Sequence, residues 1–139
     1  MQWDALLARA RRLFGFAVDD AHCHYDDIYG GWVMLKAADR SRAAIYQALR
    51  AGHFYATNGP TIESVQFEGD TVLVECSPAV ECFAVCPMPG RGWTNWRGDA
   101  DGEVHSTFEL AMKPGNDPMR ICIVDQHGRR AWTNPWWRG

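Results

Sequence analysis

Two acids and two histidines occupy alternate positions in this chain, Asp20, His22, His24 and Asp26, directly behind the short apolar run Phe16-Ala17-Val18. Extended backbone points residues i, i+2 and i+4 to one face, so the four side chains project together wherever strand geometry persists. Carboxylate and imidazole donors suit a divalent ion such as Zn, Mn or Fe better than a soft metal. The competing reading is a polar strand end that turns into a solvated loop, and spacing alone does not choose between the two. By the same alternation Asp19 falls on the opposite face, either solvated or supporting a ligand from behind.

The elements that would position this cluster follow from periodicity. Trp3, Leu6, Leu7, Ala10 and Leu13 recur at three- and four-residue intervals, which predicts a helix over Gln2–Phe14 with Gly15 as its stop. Phe16-Ala17-Val18 reads as a short buried strand ending at the acidic cluster, and Trp32-Val33-Met34-Leu35 as another. Ser41 to Arg50 follows as a helix, with Ser41 or Asp39 at its N-cap, Ala44, Ile45, Ala48 and Leu49 as its apolar stripe, and Gly52 at its end. Beyond the turn signal Asn58-Gly59-Pro60 the period changes from helical to twofold. Strands are expected over 62–67, 71–76, 80–86, 103–110 and 119–125, with a last short one near Ala131-Trp132. Tight turns fall at 68–71 and 125–128, and alternation such as Val72, Val74, Cys76 favours an antiparallel sandwich or open barrel with one buried side. The Gly- and Trp-rich stretch from Pro87 to Gly102 reads as an exposed loop.

The chain of 139 residues has 47% apolar and 22% charged residues, the balance of one globular domain or of a small fold joined to part of another. A net charge of −3 and the lack of a Lys/Arg run give no footprint for nucleic acid or an anionic membrane. With no signal-peptide core and no long apolar span, a cytoplasmic location is expected. The cysteines, Cys23, Cys76, Cys82, Cys86 and Cys122, are odd in number and scattered through strand-like runs, which argues for reduced thiols. A zinc pair at Cys82 and Cys86 would need two more ligands at similar spacing; buried core thiols are the simpler reading.

Three strings carry a family resemblance: Ala17-Val18-Asp19-Asp20-Ala21-His22, then Gly31-Trp32-Val33, then Ala48-Leu49-Arg50-Ala51-Gly52-His53-Phe54-Tyr55-Ala56-Thr57-Asn58-Gly59-Pro60. Together they resemble the C-terminal part of the polymerase and histidinol phosphatase (PHP) superfamily, especially phosphoesterase-like members with an appended β-domain. The ending from Val124 to Pro135 is similar to the closing strands of that domain. The resemblance implies an α+β chain: residues 1–58 as the C-terminal fragment of a PHP-type β/α barrel, with two helices and short strands, and residues 59–139 as a small antiparallel β-sandwich. It also implies a di- or trinuclear metal site at the barrel rim, where Asp20 and His22 match the family's Asp-x-His ligand pair. There the ion would lower the pKa of bound water, with Asp20 also orienting that water for attack on a phosphate ester. His24 and Asp26 match no ligand position. The family's N-terminal His-x-His element and central Glu and His ligands have no match, so this chain is expected to be a piece of a longer protein, inactive alone. Its partners would be the N-terminal remainder of the barrel and a small phosphorylated substrate, with homo-oligomerisation through uncovered strands as a further expectation.

Other residues have two readings. His53 and Tyr55 would contact substrate if they lie near the phosphate site, and otherwise pack at a domain junction. Asn58-Gly59-Pro60 is first a turn, whose amides could approach an anion. Trp93, Trp96, Trp136 and Trp137 either stack on a ligand or close the open ends of a thin sandwich. The alternative to the hydrolase reading is therefore a β-sandwich binding or oligomerisation module with no catalytic role.

Overall fold

The computed structural model describes residues 2–9, 11–22, 28–86, 93–98, 102–111 and 118–137. In chain order the elements are α1 (Gln2–Leu7), β1 (Trp32–Leu35), α2 (Arg42–Ala51), β2 (Phe54–Thr57), β3 (Ile62–Glu68), β4 (Thr71–Ala79), β5 (Glu81–Cys86), β6 (Trp93–Gly98), β7 (His105–Ala111), β8 (Arg120–Val124) and β9 (Arg130–Thr133). The strands form two antiparallel sheets, one of six in the order β1-β2-β9-β8-β5-β6 and one of three in the order β3-β4-β7. Alternate residues from both sheets meet in one core: Val72, Val74 and Cys76 of β4, Cys82, Ala84 and Cys86 of β5, Phe108 and Leu110 of β7, Ile121 and Ile123 of β8. Burying an apolar side chain of this size stabilises by about 1.5–3 kcal/mol, so the face that alternation selects is the face the fold must enclose.

The expected barrel fragment is not present, which corrects the α+β reading. β1 pairs antiparallel with β2, Trp32 opposite Thr57, and β2 pairs antiparallel with β9, Tyr55 opposite Thr133. A β/α barrel needs parallel strands joined by crossover helices. Here α2 lies in the connection between two antiparallel neighbours, and both of those strands extend the larger sheet of the sandwich. The chain is mostly β, with α1 and α2 as its helices among the described residues.

There are three further differences. α1 stops at Leu7 instead of reaching Phe14, and Trp3 Nε1 donates to the Leu13 carbonyl at 3.2 Å, a contact that a helix continuous to Phe14 would not make. Phe16-Ala17-Val18 belongs to neither sheet. Local signals do not predict β2 or β6: β2 is four residues hemmed by helix-stop and turn signals, and β6 lies in a stretch whose composition reads as loop. Partner strands supplied the hydrogen bonds that composition did not foretell.

Local chemistry was otherwise decisive. Ser41 caps α2 by accepting from the Ala44 amide at 3.2 Å, and Asp39 in turn accepts from the Ser41 amide at 2.7 Å. Gly52 ends the helix at φ +76°, a conformation in which a Cβ would be strained, and the Phe14 ring occupies the space that Cβ would fill. Yet the α2 stripe is only partly used, with Ala48 buried and Ile45 exposed.

Cys76, Cys82, Cys86 and Cys122 are buried free thiols. Burial pushes the Cys76 and Cys122 thiols up to about 11 and raises that of Cys82 as well. They remain protonated near neutral pH, which makes them poor ligands and poor nucleophiles. Trp136 packs partly buried against the core, its ring edge-on to Phe67 at 5.2 Å, as a cover for the sandwich end.

α1 is anchored to the sheet by charge. Arg120, at the start of β8 and 2% exposed, donates through Nε at 3.0 Å and Nη2 at 2.8 Å to Asp4, under the Trp3 ring 5.0 Å away. Removing one partner of such a pair strands a buried charge. Asp4→Ala is therefore expected to cost about 3 kcal/mol in urea unfolding, and Arg120→Met added to it to restore most of that loss. A loss below about 1 kcal/mol for Asp4→Ala would show that the pair anchors nothing.

Candidate functional site

The segment that carries the candidate ligands, from Phe14 to Asp20, lies in no sheet and no helix, and its exposure alternates. Gly15, Ala17 and Asp19 are half-buried; Phe14, Phe16, Val18 and Asp20 are exposed. With no strand neighbour, it is held by side chains. Near its start, the Gly15 amide donates to Asn134 Oδ1 at 3.0 Å. Asn134, itself buried just after β9, donates through Nδ2 to the carbonyls of Gly52 at 3.1 Å and Phe54 at 2.9 Å. Phe14 and Phe16 both pack on the Phe54 ring, at 6.1 and 4.5 Å between centroids. Towards the other end, Asp19 Oδ1 accepts from the Gly31 amide at 3.0 Å, bridging twelve residues of chain. Ala17 crosses so close to Gly31 that a Cβ there would lie 3.2 Å from the Ala17 methyl.

Asp19 therefore faces inward, and its role is visible. Backbone hydrogen bonds from Gly31, and then from Tyr29 and Gly30, hold its carboxyl below the ordinary value of 3.8, against a small opposing effect of burial. Asp20 lies at φ +57°, a left-handed conformation that Asp tolerates better than most residues. That turn ends the alternation. The expectation that one strand face carries Asp20, His22, His24 and Asp26 thus fails at its first residue, since alternation requires extended φ throughout. Asp20 and His22 are both exposed. His24 and Asp26, with Cys23, lie outside the described residues.

Asp20 and His22 have donor types that fit a divalent ion. Their number does not complete a shell: among the described residues no group of three or more His, Cys, Asp or Glu side chains is placed to hold a metal. Catalytic zinc sites take three protein ligands. The two side chains alone do not make a metal site, and no hydrolytic step is assigned to them.

His53 and Tyr55 lie elsewhere. They line a cleft of ≈ 970 Å³ together with Phe14, Lys36, Glu63 and Trp136, and neither Asp20 nor His22 is among its lining residues. Burial pushes the Tyr55 phenol above its ordinary value, so it stays a neutral hydroxyl at physiological pH.

The Asn58-Gly59-Pro60 turn has no amide to spare for an anion. The Asn58 amide donates to the Arg130 carbonyl at 3.0 Å and the Gly59 amide to Thr57 Oγ1 at 3.0 Å. Asn58 Oδ1 also accepts from the Arg130 amide at 2.6 Å, so the turn docks the β8–β9 hairpin. Asn134 was not singled out from the sequence, where Asn134-Pro135 is an ordinary turn dipeptide.

A lowered carboxylate pKa stabilises the folded loop above the ordinary carboxylate range, and that contribution is lost as pH falls through the lowered value. The Gly31 amide proton is accordingly expected to titrate by NMR with its midpoint below 3.8. Asp19→Ala should abolish that titration and speed Gly31 amide exchange about tenfold. A midpoint at or above 3.8 would remove Asp19 from this role.

Among the described residues no helix is long and apolar enough to cross a membrane. Comparison of the chain with protein-family models, with curated proteins and with solved structures finds no match to any of them.

Proposed function

We propose that this chain is the β-sandwich-bearing part of a PHP-like metal-dependent hydrolase, of phosphoesterase type, to which it contributes Asp20 and His22 as two ligands of a divalent metal site. The remaining ligands come from another polypeptide segment. One observation carries this reading. Apart from Phe67 and Val104, every exposed large hydrophobic side chain among the described residues lies between Leu6 and Tyr46, including Phe16, Val18, Ile28, Tyr29, Trp32 and Met34. The core between the two sheets is enclosed, whereas residues 6–46, edge strand β1 included, leave apolar side chains open. Uncovered apolar surface of this kind marks an interface. The resemblance of Asp20-Ala21-His22 to a family ligand pair supports the same reading.

Titration with Zn²⁺ or Mn²⁺, followed at the His22 ring by NMR, is expected to show weak binding that Asp20→Ala and His22→Ala each abolish. His22→Ala should unfold within about 0.5 kcal/mol of the wild type because its side chain is exposed, and Asp20→Ala within about 1–2 kcal/mol because Ala tolerates φ +57° less well than Asp. A metal response unchanged in both variants would sink the assignment.

A second reading rests on the cleft, whose aromatic and polar lining suits a small ligand. If the chain is a binding module, Trp136 emission should shift with a ligand from a panel of sugars, phosphate esters and peptides, and Tyr55→Ala should weaken that response. Unchanged emission across the panel counts against it.

A further inference from the structure

We infer that Asn134 is a positioning residue for Asp20 and His22, acting on them through the Gly15 amide from the far end of the chain. The inference rests on the metal-corner reading for its purpose, though not for its geometry. The segment from Phe14 to Asp20 lies in no sheet and no helix, so no backbone ladder fixes it. A buried amide side chain does this work instead, with each bond in hydrogen-bonding range: 3.0 Å from the Gly15 amide, 3.1 Å to the Gly52 carbonyl and 2.9 Å to the Phe54 carbonyl. Only an amide suits this place. The acceptor oxygen meets an N–H while the two donor hydrogens meet two carbonyls, a combination that a carboxylate or a hydroxyl does not offer.

The tie has direction. The Gly52 and Phe54 carbonyls belong to the end of α2 and the start of β2, both fixed by the larger sheet. Asn134 follows β9, the partner of β2. Three of its contacts therefore join a rigid frame to one otherwise unpaired amide. From Gly15 the chain reaches Asp19, which is pinned again through Gly31, and the next residue is Asp20. Five residues are thus held at both ends, and the ligand pair leaves from the second pin. Release of either end frees the backbone that aims Asp20 and His22, without touching either donor.

The test compares wild type with Asn134→Ala and Asn134→Asp. Asn134→Asp sets a carboxylate against the Gly52 and Phe54 carbonyls in place of both donors, a repulsion that drives the side chain off the Gly15 amide, and it serves as the working variant if Asn134→Ala does not fold. In metal-free protein, amide exchange at Gly15 to Asp19 is expected to rise about tenfold while the Ile121 and Ile123 amides of β8 keep their protection. With Zn²⁺, the affinity read at the His22 ring should fall several-fold in the same variants although both donors are intact. Unchanged exchange at Gly15 to Asp19 overturns the inference, and so does a rise shared equally by Ile121 and Ile123. A wild-type His22 ring that ignores Zn²⁺ overturns instead the metal-corner reading, since the exchange result stands without metal.

Discussion

The pairing of β2 against β9 is the contact on which the rest of this structure depends. It sets Tyr55 opposite Thr133 and Ala56 opposite Trp132, bringing together residues far apart in the chain. β9 then pairs with β8, so a four-residue strand from the first half of the chain is placed two strands from the centre of the core. Such a non-local contact must overcome loop-closure entropy before it is rewarded, and it is secured by polar side chains at both its ends. Asn58 ties one end to Arg130, and Asn134 ties the other to Phe54. Thr133 adds a bond of its own, accepting from the Ile121 amide at 2.8 Å.

Polar groups are used elsewhere in the same way, tying a helix to the sheet or closing a turn. Arg120 and Asp4 join β8 to α1. Asp125 accepts from the amides of His127 and Arg129 and from Arg129 Nε, closing the β8–β9 turn. Burial pushes the Asp125 carboxyl up, but its bonds to Arg129 and His127 outweigh that and hold it below its ordinary value. In each case a buried charged or amide group is matched donor to acceptor, the condition under which burial of polarity is tolerated.

Apolar exposure is unevenly distributed along the chain. The sandwich encloses a core between its two sheets, where alternating side chains meet. The earlier residues are ordered by tethers to it, yet Phe16 and Val18 remain 56% and 73% exposed. A segment held in place while its apolar side chains stay open is suited to receive another polypeptide. The exposed Asp20 and His22 stand at the end of that segment, where a second surface could supply the remaining donors.

Several features were set by the sequence alone because they depend on residues only a few positions apart. Ser41, Asp39 and Gly52 bound α2 through local hydrogen bonds and a left-handed φ, and the alternation along β4, β5 and β7 reflects the two-residue period of a strand over a single core. Tertiary structure decided what neighbouring residues could not: that β1 and β2 join the sandwich instead of a barrel, that β6 is a strand, and that α1 ends at Leu7. It also decided the role of Asn134, whose partners Gly15, Gly52 and Phe54 lie 119, 82 and 80 residues away. Pairing partners and buried polar contacts at such separations leave no period or local motif in the chain, so they exist only once the fold has brought the segments together.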